Sequence, residues 1–404
     1  MNLNIATVDV DIMSGRAISI IGFSTALVAQ YLGAGKHPNC PKVLSQTIIF
    51  SCLSTPILLI LIPVGRWVLA TAGLSAGEMA QAQTYLTILM AGNALDLFRQ
   101  SFNGYFGGLG KTRVVLLSTF AMAIANVFAN YVLIFGKLGF PAMGIMGAGY
   151  GTLFAWFVGL ITLCVVYFKQ IQFPEYQLLK SFQLDIEILK KLVRFGLASG
   201  LRITLLIFAI DLMILAFQSY GVEVSTAITV IFTWFQTLFI PVIGLEIGTM
   251  SLAGRFVGAR DLDSASDSVF SGLFLASAYA LILSLACLAV TPAMVELFLE
   301  PDSSVATRDL AIWGTQLNAF LMFILAWSSI LGGALRGAGD TYGVMFISAG
   351  FWWLQYALVV ILIHMFGLHP DDVLTIHVLS SPLLLIAMVM RFRSGIWRKF
   401  ELTS

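Results

Sequence analysis

The chain has 404 residues, of which 59% are hydrophobic and 11% are charged, and its net charge is +1. A soluble domain carries about 25% charged residues, so this composition excludes a soluble globular protein, and the small net charge gives nucleic-acid binding no electrostatic support. Apolar runs of about 18 residues or more recur along the whole length, which predicts an all-α, polytopic membrane protein.

Eleven apolar segments, separated by Gly, Pro or charged residues, are long enough to be membrane-spanning helices. They cover residues 13–34, 43–70, 82–106, 113–136, 144–168, 192–218, 225–256, 264–292, 308–335, 342–366 and 372–391. The polar, amphipathic stretch "KQIQFPEYQLLKSFQLDIEILKK" lies between the fifth and sixth segments and predicts an interfacial linker. We therefore divide the chain into an N-terminal lobe (1–168), a cytoplasmic linker (169–191) and a C-terminal lobe (192–404).

The positive charges alternate from loop to loop. Of the 22 Lys and Arg, two lie within predicted spans, four lie in loops on one side and the other sixteen lie on the opposite side. Cytoplasmic loops carry the excess of Lys and Arg. This distribution predicts a multi-pass protein of the inner (plasma) membrane with a cytoplasmic C-terminus.

The chain contains an internal repeat. "FGGLGKT" aligns with "LRGAGDT" at an offset of 229 residues, "QYLGA" with "RFVGA" at 225, and "LIFG" with "HMFG" at 231. Neither glycine turn has the spacing of a phosphate-binding loop, so we interpret them as turns in which Gly ends corresponding helices in the left-handed conformation. The repeat predicts two parallel, pseudo-symmetric helical bundles.

The two halves are unequal, with five predicted spans in the first and six in the second. The missing member would precede residue 13, and the run "MNLNIATVDVDIMSG" is too short to cross a bilayer. We expect that the first helix has been lost or that the chain is truncated at its start.

Several motifs together carry a resemblance to a known family. "NVFANYVLIFGKLGFPAMGIMGAGYGT" (126–152), "VAQYLGAGK", "GLGKTR" and "GALRGAGDT" resemble sequences of the multidrug and toxic compound extrusion (MATE) transporters, in particular those of NorM type. The resemblance covers the whole chain except the family's first helix. It implies a two-lobe fold of twelve spans that alternates access and exchanges an organic substrate for H⁺ or Na⁺.

Polar residues inside spans are costly and mark candidate sites. Asn126 and Asn130 lie four apart on one helix face. The resemblance implies that they line a first-half pocket with Thr152, around an aspartate on the helix that is absent here. Interhelical hydrogen bonding is the alternative role. Asp96 with Arg99 one turn later predicts an i,i+3 ion pair.

The second half has three polar candidates. Asp211 lies deep in a span, and Glu246 lies near Pro241 and Gly244, where we expect a locally broken helix. Either carboxylate is a candidate proton carrier or a structural group facing a polar cleft. Gln355 aligns with Asn126 at offset 229 and is a candidate polar contact. Leu325 occupies a position where the family often has an aspartate, which argues against the usual second-half cation site.

These observations predict a secondary active antiporter that exports amphipathic or cationic organic compounds in exchange for H⁺ or Na⁺. The alternatives are a related flippase for lipid-linked substrates and a truncated membrane protein that does not transport. The scattered Cys and His residues show no metal-ligand or catalytic spacing, so we expect neither an enzyme nor a cofactor. The expected partners are small organic substrates and the bilayer, with the chain as a monomer.

Overall fold

A computed structural model of the chain describes residues 15, 17–70, 75–169, 181–299, 302–400 and 402. The described residues form α-helices and no strand, which confirms the all-α prediction. The helices are α1 (Ser24–Gly33), α2 (Asn39–Ala70), α3 (Ala76–Gly108), α4 (Thr112–Phe135), α5 (Ile145–Lys169), α6 (Ile186–Gln218), α7 (Val222–Gly258), α8 (Leu262–Glu296), α9 (Val305–Ala338), α10 (Thr341–His364), α11 (Pro370–Ser380) and α12 (Pro382–Arg393).

Nine helical segments within the described ranges are long and apolar enough to cross a membrane. They are α2 and α4 to α10, with α11 and α12 together forming the ninth. The apolar helix Ala17–Gly33, which ends with α1, is shorter. α3 is not among the nine although it was predicted as a span, because its apolar residues are interrupted by polar ones such as Asn93, Asp96 and Arg99.

The chain divides into two compact units, which we describe separately. The first comprises residues 1–204 with 402–404, and the second comprises residues 205–401. In the first unit α3 packs against α1, α2, α4 and α5, and in the second α9 packs against α7, α8, α10 and the α11–α12 pair. The remaining packed pairs also correspond, α1–α2 with α7–α8 and α4–α5 with α10 and α11–α12. The same set of helix pairs therefore packs in each unit, as the sequence repeat predicts.

The glycine turns that define the repeat have the predicted conformation. Gly110 and Gly339 have φ of 70° and 108°, and Gly136 and Gly367 have φ of 65° and 60°. After the first pair, the backbone N–H of Lys111 donates to Phe106 O at 2.9 Å and that of Asp340 donates to Leu335 O at 2.8 Å. Such bonds close the end of a helix when Gly adopts the left-handed conformation. These turns are structural.

The third pair of turns differs in residue type. Gly35 has φ of 72°, and Arg260, which stands at the equivalent position in the second copy, has φ of 60°. The same backbone bond follows each residue, from Lys36 N to Tyr31 O and from Asp261 N to Phe256 O, both at 2.9 Å. The bend is thus retained where glycine is absent.

Glycines let the central helix of each unit approach a neighbour closely. A Cβ on Gly108 of α3 would lie 2.7 Å from Thr25 O in α1, and one on Gly337 of α9 would lie 2.2 Å from Met250 O in α7. Thr25 and Met250 are related by the 225-residue offset of the repeat. Small residues in membrane helices permit this backbone contact. It recurs at Gly333, where a Cβ would lie 2.6 Å from Glu246 O, whereas at Gly104 the nearest atom is the side-chain oxygen of Ser24.

Three predictions of helix continuity differ from the structure. α7 is continuous through Pro241, so the break expected near Glu246 was wrong. The segment predicted as one span over 372–391 is instead two helices that meet at Ser381. α6 begins at Ile186, inside the predicted linker, and Asp185 Oδ1 accepts from the Ile188 N–H at 3.1 Å at its start. Residues 170–180 of the predicted linker lie outside the described residues.

Candidate functional site

The predicted polar residues of the first unit lie on three neighbouring helices. In α4 the side-chain amide of Asn130 donates to Asn126 Oδ1 at 3.1 Å, so the structure brings these two residues together. A Cβ on Gly151 of α5 would lie 2.2 Å from Asn130 Oδ1, and the lack of a side chain there accommodates the amide. Thr152 follows Gly151, but its hydroxyl donates to Ala148 O of its own helix at 3.0 Å.

The Asn130 amide oxygen is buried and accepts no hydrogen bond from the described residues. A buried carbonyl-type oxygen without a donor is unfavourable, and it is also the kind of ligand that Na⁺ or an ammonium group prefers. Asn126 and Asn130 are each half-buried. The pair can therefore offer oxygen to a cation from the helix α4.

Asp96 and Arg99 in α3 form the predicted ion pair. Arg99 Nε donates to Asp96 Oδ1 at 2.8 Å, and Nη2 contacts the same oxygen. Their side chains are 8% and 10% exposed. A Cβ on Gly159 of α5 would lie 3.1 Å from Arg99 Cδ. The helix α5 therefore packs directly on the Asp96–Arg99 ion pair. The Asp96 charge is compensated inside the unit.

Asn93, which the sequence analysis did not select, lies three residues before Asp96 on the same helix face. It is 2% exposed, and its Oδ1 accepts no hydrogen bond from the described residues. The spacing of Asn93 and Asp96 within an apolar segment was the signal that would have identified it.

In the second unit, Glu246 of α7 is ion-paired with Arg336 of α9. The two side chains are 13% and 11% exposed. The close approach of α7 and α9 at Gly333, where a Cβ would lie 2.6 Å from Glu246 O, positions the carboxylate next to the guanidinium. No local spacing in the sequence predicts this ion pair, because the two residues lie 90 positions apart.

Asp211 is half-buried in the membrane-spanning part of α6, between the buried Ala209 and Met213. Gln355 of α10 is 1% exposed. Its side chain is hydrogen-bonded to Ser380 Oγ and to His377 Nδ1 of α11, at 2.7 Å and 3.0 Å. Neither Ser380 nor His377 was selected from the sequence. The polar run "HVLSSP" inside the last apolar segment was the available signal.

Within each unit the predicted residues have different partners. Asn126 and Asn130 meet each other, Asp96 and Glu246 each meet an arginine, and Gln355 meets residues that were not predicted. No group of three or more His, Cys, Asp or Glu able to hold a metal ion occurs in the described part of the chain. These side chains include amide oxygens and ion-paired carboxylates.

The glycine turns at Gly110 and Gly339 are followed by residues of opposite charge, Lys111 and Asp340, which have different neighbours. Asp340 Oδ2 and Oδ1 accept from Arg391 Nε and Nη2 of α12 at 2.7 Å and 2.9 Å, and Oδ1 also accepts from the first-turn Gly343 N–H at 3.3 Å. At the equivalent place Lys111 precedes α4, and burial lowers its pKa. The Asp340 side chain thus caps its helix, whereas the Lys111 side chain makes no cap hydrogen bond.

The chain is similar to known proteins over most of its length. The sequence model of the MatE family matches residues 14–132 and 200–361. The uncharacterized transporter YisQ of Bacillus subtilis is 26% identical over 387 residues, covering 93% of this chain and 82% of YisQ. The probable multidrug resistance protein NorM of Halalkalibacterium halodurans is 29% identical, covering 81% of this chain and 72% of NorM.

The fold is also found among solved structures. An outward-facing multidrug resistance MATE family transporter of the MOP superfamily has a TM-score of 0.88 and 18% identity, covering 99% of this chain and 88% of that one. A eukaryotic MATE transporter, AtDTX14, has a TM-score of 0.84 and 15% identity, covering 98% of this chain and 88% of its own. At these identities the likeness concerns the fold alone.

Proposed function

Because the chain belongs to the MATE family, we propose that it is a secondary active antiporter that exports amphipathic or cationic organic compounds in exchange for H⁺ or Na⁺. The observation that carries the proposal is the family match across both units, combined with the buried polar and charged groups that each unit holds in its helices. Such groups are costly in a bilayer and mark substrate and ion pathways.

The coupling requires a group whose occupancy differs between two access states. Asp96 and Glu246 are each compensated by an arginine, so an entering cation would have to displace a guanidinium. The Asn126–Asn130 pair offers neutral oxygen ligands. We therefore favour this pair for cation or substrate contact. Asp211, which lies within a span, is a further candidate proton carrier, with Thr152 and Gln355 as supporting polar groups.

A flippase for lipid-linked diphosphates receives less support. It would need unpaired positive charge inside the membrane to hold the head group. In the first unit Arg99 is neutralised by Asp96, and in the second Arg336 is neutralised by Glu246. From the distribution of Lys and Arg, we further propose that the chain resides in the plasma membrane with its C-terminus in the cytoplasm. We also propose that it acts as a monomer.

Ethidium efflux tests the proposal. The full chain, expressed in an efflux-deficient bacterial host, should lower ethidium accumulation relative to a vector control. Dissipating the gradient of the coupling ion, whether H⁺ or Na⁺, should abolish that difference. Asp211→Asn and Asn130→Ala should each reduce the efflux at least tenfold if these side chains hold the cation. Accumulation equal to that of a vector control, with the protein confirmed in the membrane, would overturn the antiport proposal.

A further inference from the structure

The last membrane span is interrupted near its middle. Pro370–Arg393 is long enough to cross, but α11 ends at Ser380 and α12 begins at Pro382. Pro382 has no N–H, so it cannot donate to Val378 O four residues earlier. The backbone N–H and the hydroxyl of Ser381 donate to that carbonyl instead, at 3.1 Å and 2.6 Å. Ser381 keeps helical torsions, with φ of −61° and ψ of −27°, so the interruption is a proline kink in the hydrogen-bond ladder of one span.

A buried polar cluster stands at this interruption. Gln355 Nε2 donates to Ser380 Oγ at 2.7 Å, and Ser380 Oγ lies 2.8 Å from His377 O, to which it donates. His377 Nδ1 lies 3.0 Å from Gln355 Oε1. An amide oxygen carries no hydrogen, so Nδ1 must be the donor, and Nε2 of the neutral imidazole then holds the free lone pair. His377 is 6% exposed.

We propose that His377 is a proton-binding site of the second unit. A proton from water bonds to the Nε2 lone pair and gives an imidazolium, while the Nδ1–H stays on Gln355. Release returns the same proton to water and restores the neutral ring. The inference rests on the proposed antiport and deepens it, because a nitrogen lone pair of this kind takes H⁺, whereas Na⁺ requires oxygen ligands.

The surroundings leave His377 free to change charge. α11 packs against α9 and α10 and continues into α12. The titratable and charged groups on these four helices are Arg308, Asp309, Arg336, Tyr342, Tyr356, His364, Asp371, Asp372, Arg391 and Arg393. None of them forms a hydrogen bond or ion pair with His377 in the described residues. No carboxylate therefore holds the ring permanently charged.

One neighbour favours the charged ring when a proton arrives. His377 stands in the last turn of α11, just before the kink at Pro382. The Trp352 ring centroid lies 6.4 Å from that of His377, so one neighbour is an aromatic ring. A proton taken up here adds charge at the kink between α11 and α12.

Proton release driven by ethidium tests the site. The purified full chain in proteoliposomes, with a pH dye inside, should show proton movement when ethidium is added. His377→Gln should lower the protons moved per ethidium at least tenfold while ethidium affinity, measured by fluorescence polarisation, stays within twofold. His364→Gln is the matched control, because His364 is exposed at the end of α10, and it should behave as the wild type. An unchanged proton ratio in His377→Gln overturns the inference.

A second variant does not depend on loss of function. Gln355→Glu places a carboxylate against Nδ1, which stabilises the imidazolium and should raise the pH of half-maximal proton release by about one unit. An unmoved profile in a folded, monodisperse variant overturns the site even if His377→Gln fails to fold. Coupling of the wild type to Na⁺ alone overturns this inference and leaves the antiport intact. Absence of ethidium transport under both gradients overturns the antiport itself.

Discussion

Replacing Gly151 by Ala should have different effects on stability depending on residue 130. A Cβ there would lie 2.2 Å from Asn130 Oδ1 and 3.2 Å from Cγ, against about 3.5–4.0 Å for an ordinary contact. The amide must then leave its rotamer, at about 0.5–1.5 kcal/mol, and lose its bond to Asn126, at about 0.5–1.5 kcal/mol. Alanine favours a helix by about 1 kcal/mol over glycine. Gly151→Ala should therefore destabilise by up to about 2 kcal/mol.

In the Asn130→Ala background the clashing side-chain atoms are absent, although the backbone nitrogen of residue 130 still lies 3.3 Å from the Cβ. Gly151→Ala should there be neutral or stabilise by less than about 1 kcal/mol. The Tm of detergent-solubilised single and double variants measures this, with about 2–4 °C expected per kcal/mol for a unit of this size. Equal shifts in both backgrounds would refute the packing argument. If Asn130 contacts substrate or cation, the double variant should regain stability and still fail to lower ethidium accumulation.

Three further variants test the turns and helix boundaries. Gly136→Ala should lower the Tm more than Gly367→Ala. Both glycines have positive φ, but a Cβ at Gly136 would also lie 2.6 Å from a backbone nitrogen, whereas a Cβ at Gly367 would meet open space. The free energies of unfolding of the two variants should therefore differ by about 1–3 kcal/mol. Asp340→Ala should destabilise by about 2–4 kcal/mol because it leaves Arg391 unpaired, and Asp340→Asn by less because it keeps the helix cap; equal losses in a melting assay would contradict this. Hydrogen bonds that Asp261 accepts from Ser264 lower the pKa of this carboxyl below its usual 3.8. The carboxylate's contribution to stability is therefore present above pH 3.8 and is lost as the pH falls through the lower pKa of the folded state. The Tm difference between wild type and Asp261→Asn should shrink in that range, and a constant difference would count against the assignment.

Most of the fold could be predicted from the composition and the internal repeat. Long apolar runs require helices because the backbone must satisfy its own hydrogen bonds in a bilayer, and the three glycine turns predicted which helices correspond. The same packed pairs in each unit agree with that prediction. The break in the last span was missed because Ser380, Ser381 and Pro382 barely interrupt the hydropathy of the segment, whereas a proline at 241 suggested a break where α7 is continuous.

The side-chain partners were harder to predict than the helices. The Asp96–Arg99 pair follows from an i,i+3 spacing and was expected, and the structure shows it. The Glu246–Arg336 pair joins two helices, so it depends on how closely glycine lets them approach. His377 could be noticed in the sequence, but its contact with Gln355 requires the packing of α11 on α10. Contacts set by tertiary packing leave no periodic trace along one chain.

At the bend formed by Arg260, the second half of the repeat has the same backbone conformation as the first half but a different residue type. Arg260 has a left-handed backbone conformation, which costs a residue with a side chain about 1–2 kcal/mol. The hydrogen bond from Asp261 N to Phe256 O is nevertheless present. The backbone conformation at these two equivalent positions is therefore the same although the residue types differ. Here the torsion angles reveal the correspondence between the two halves, and the residue types do not.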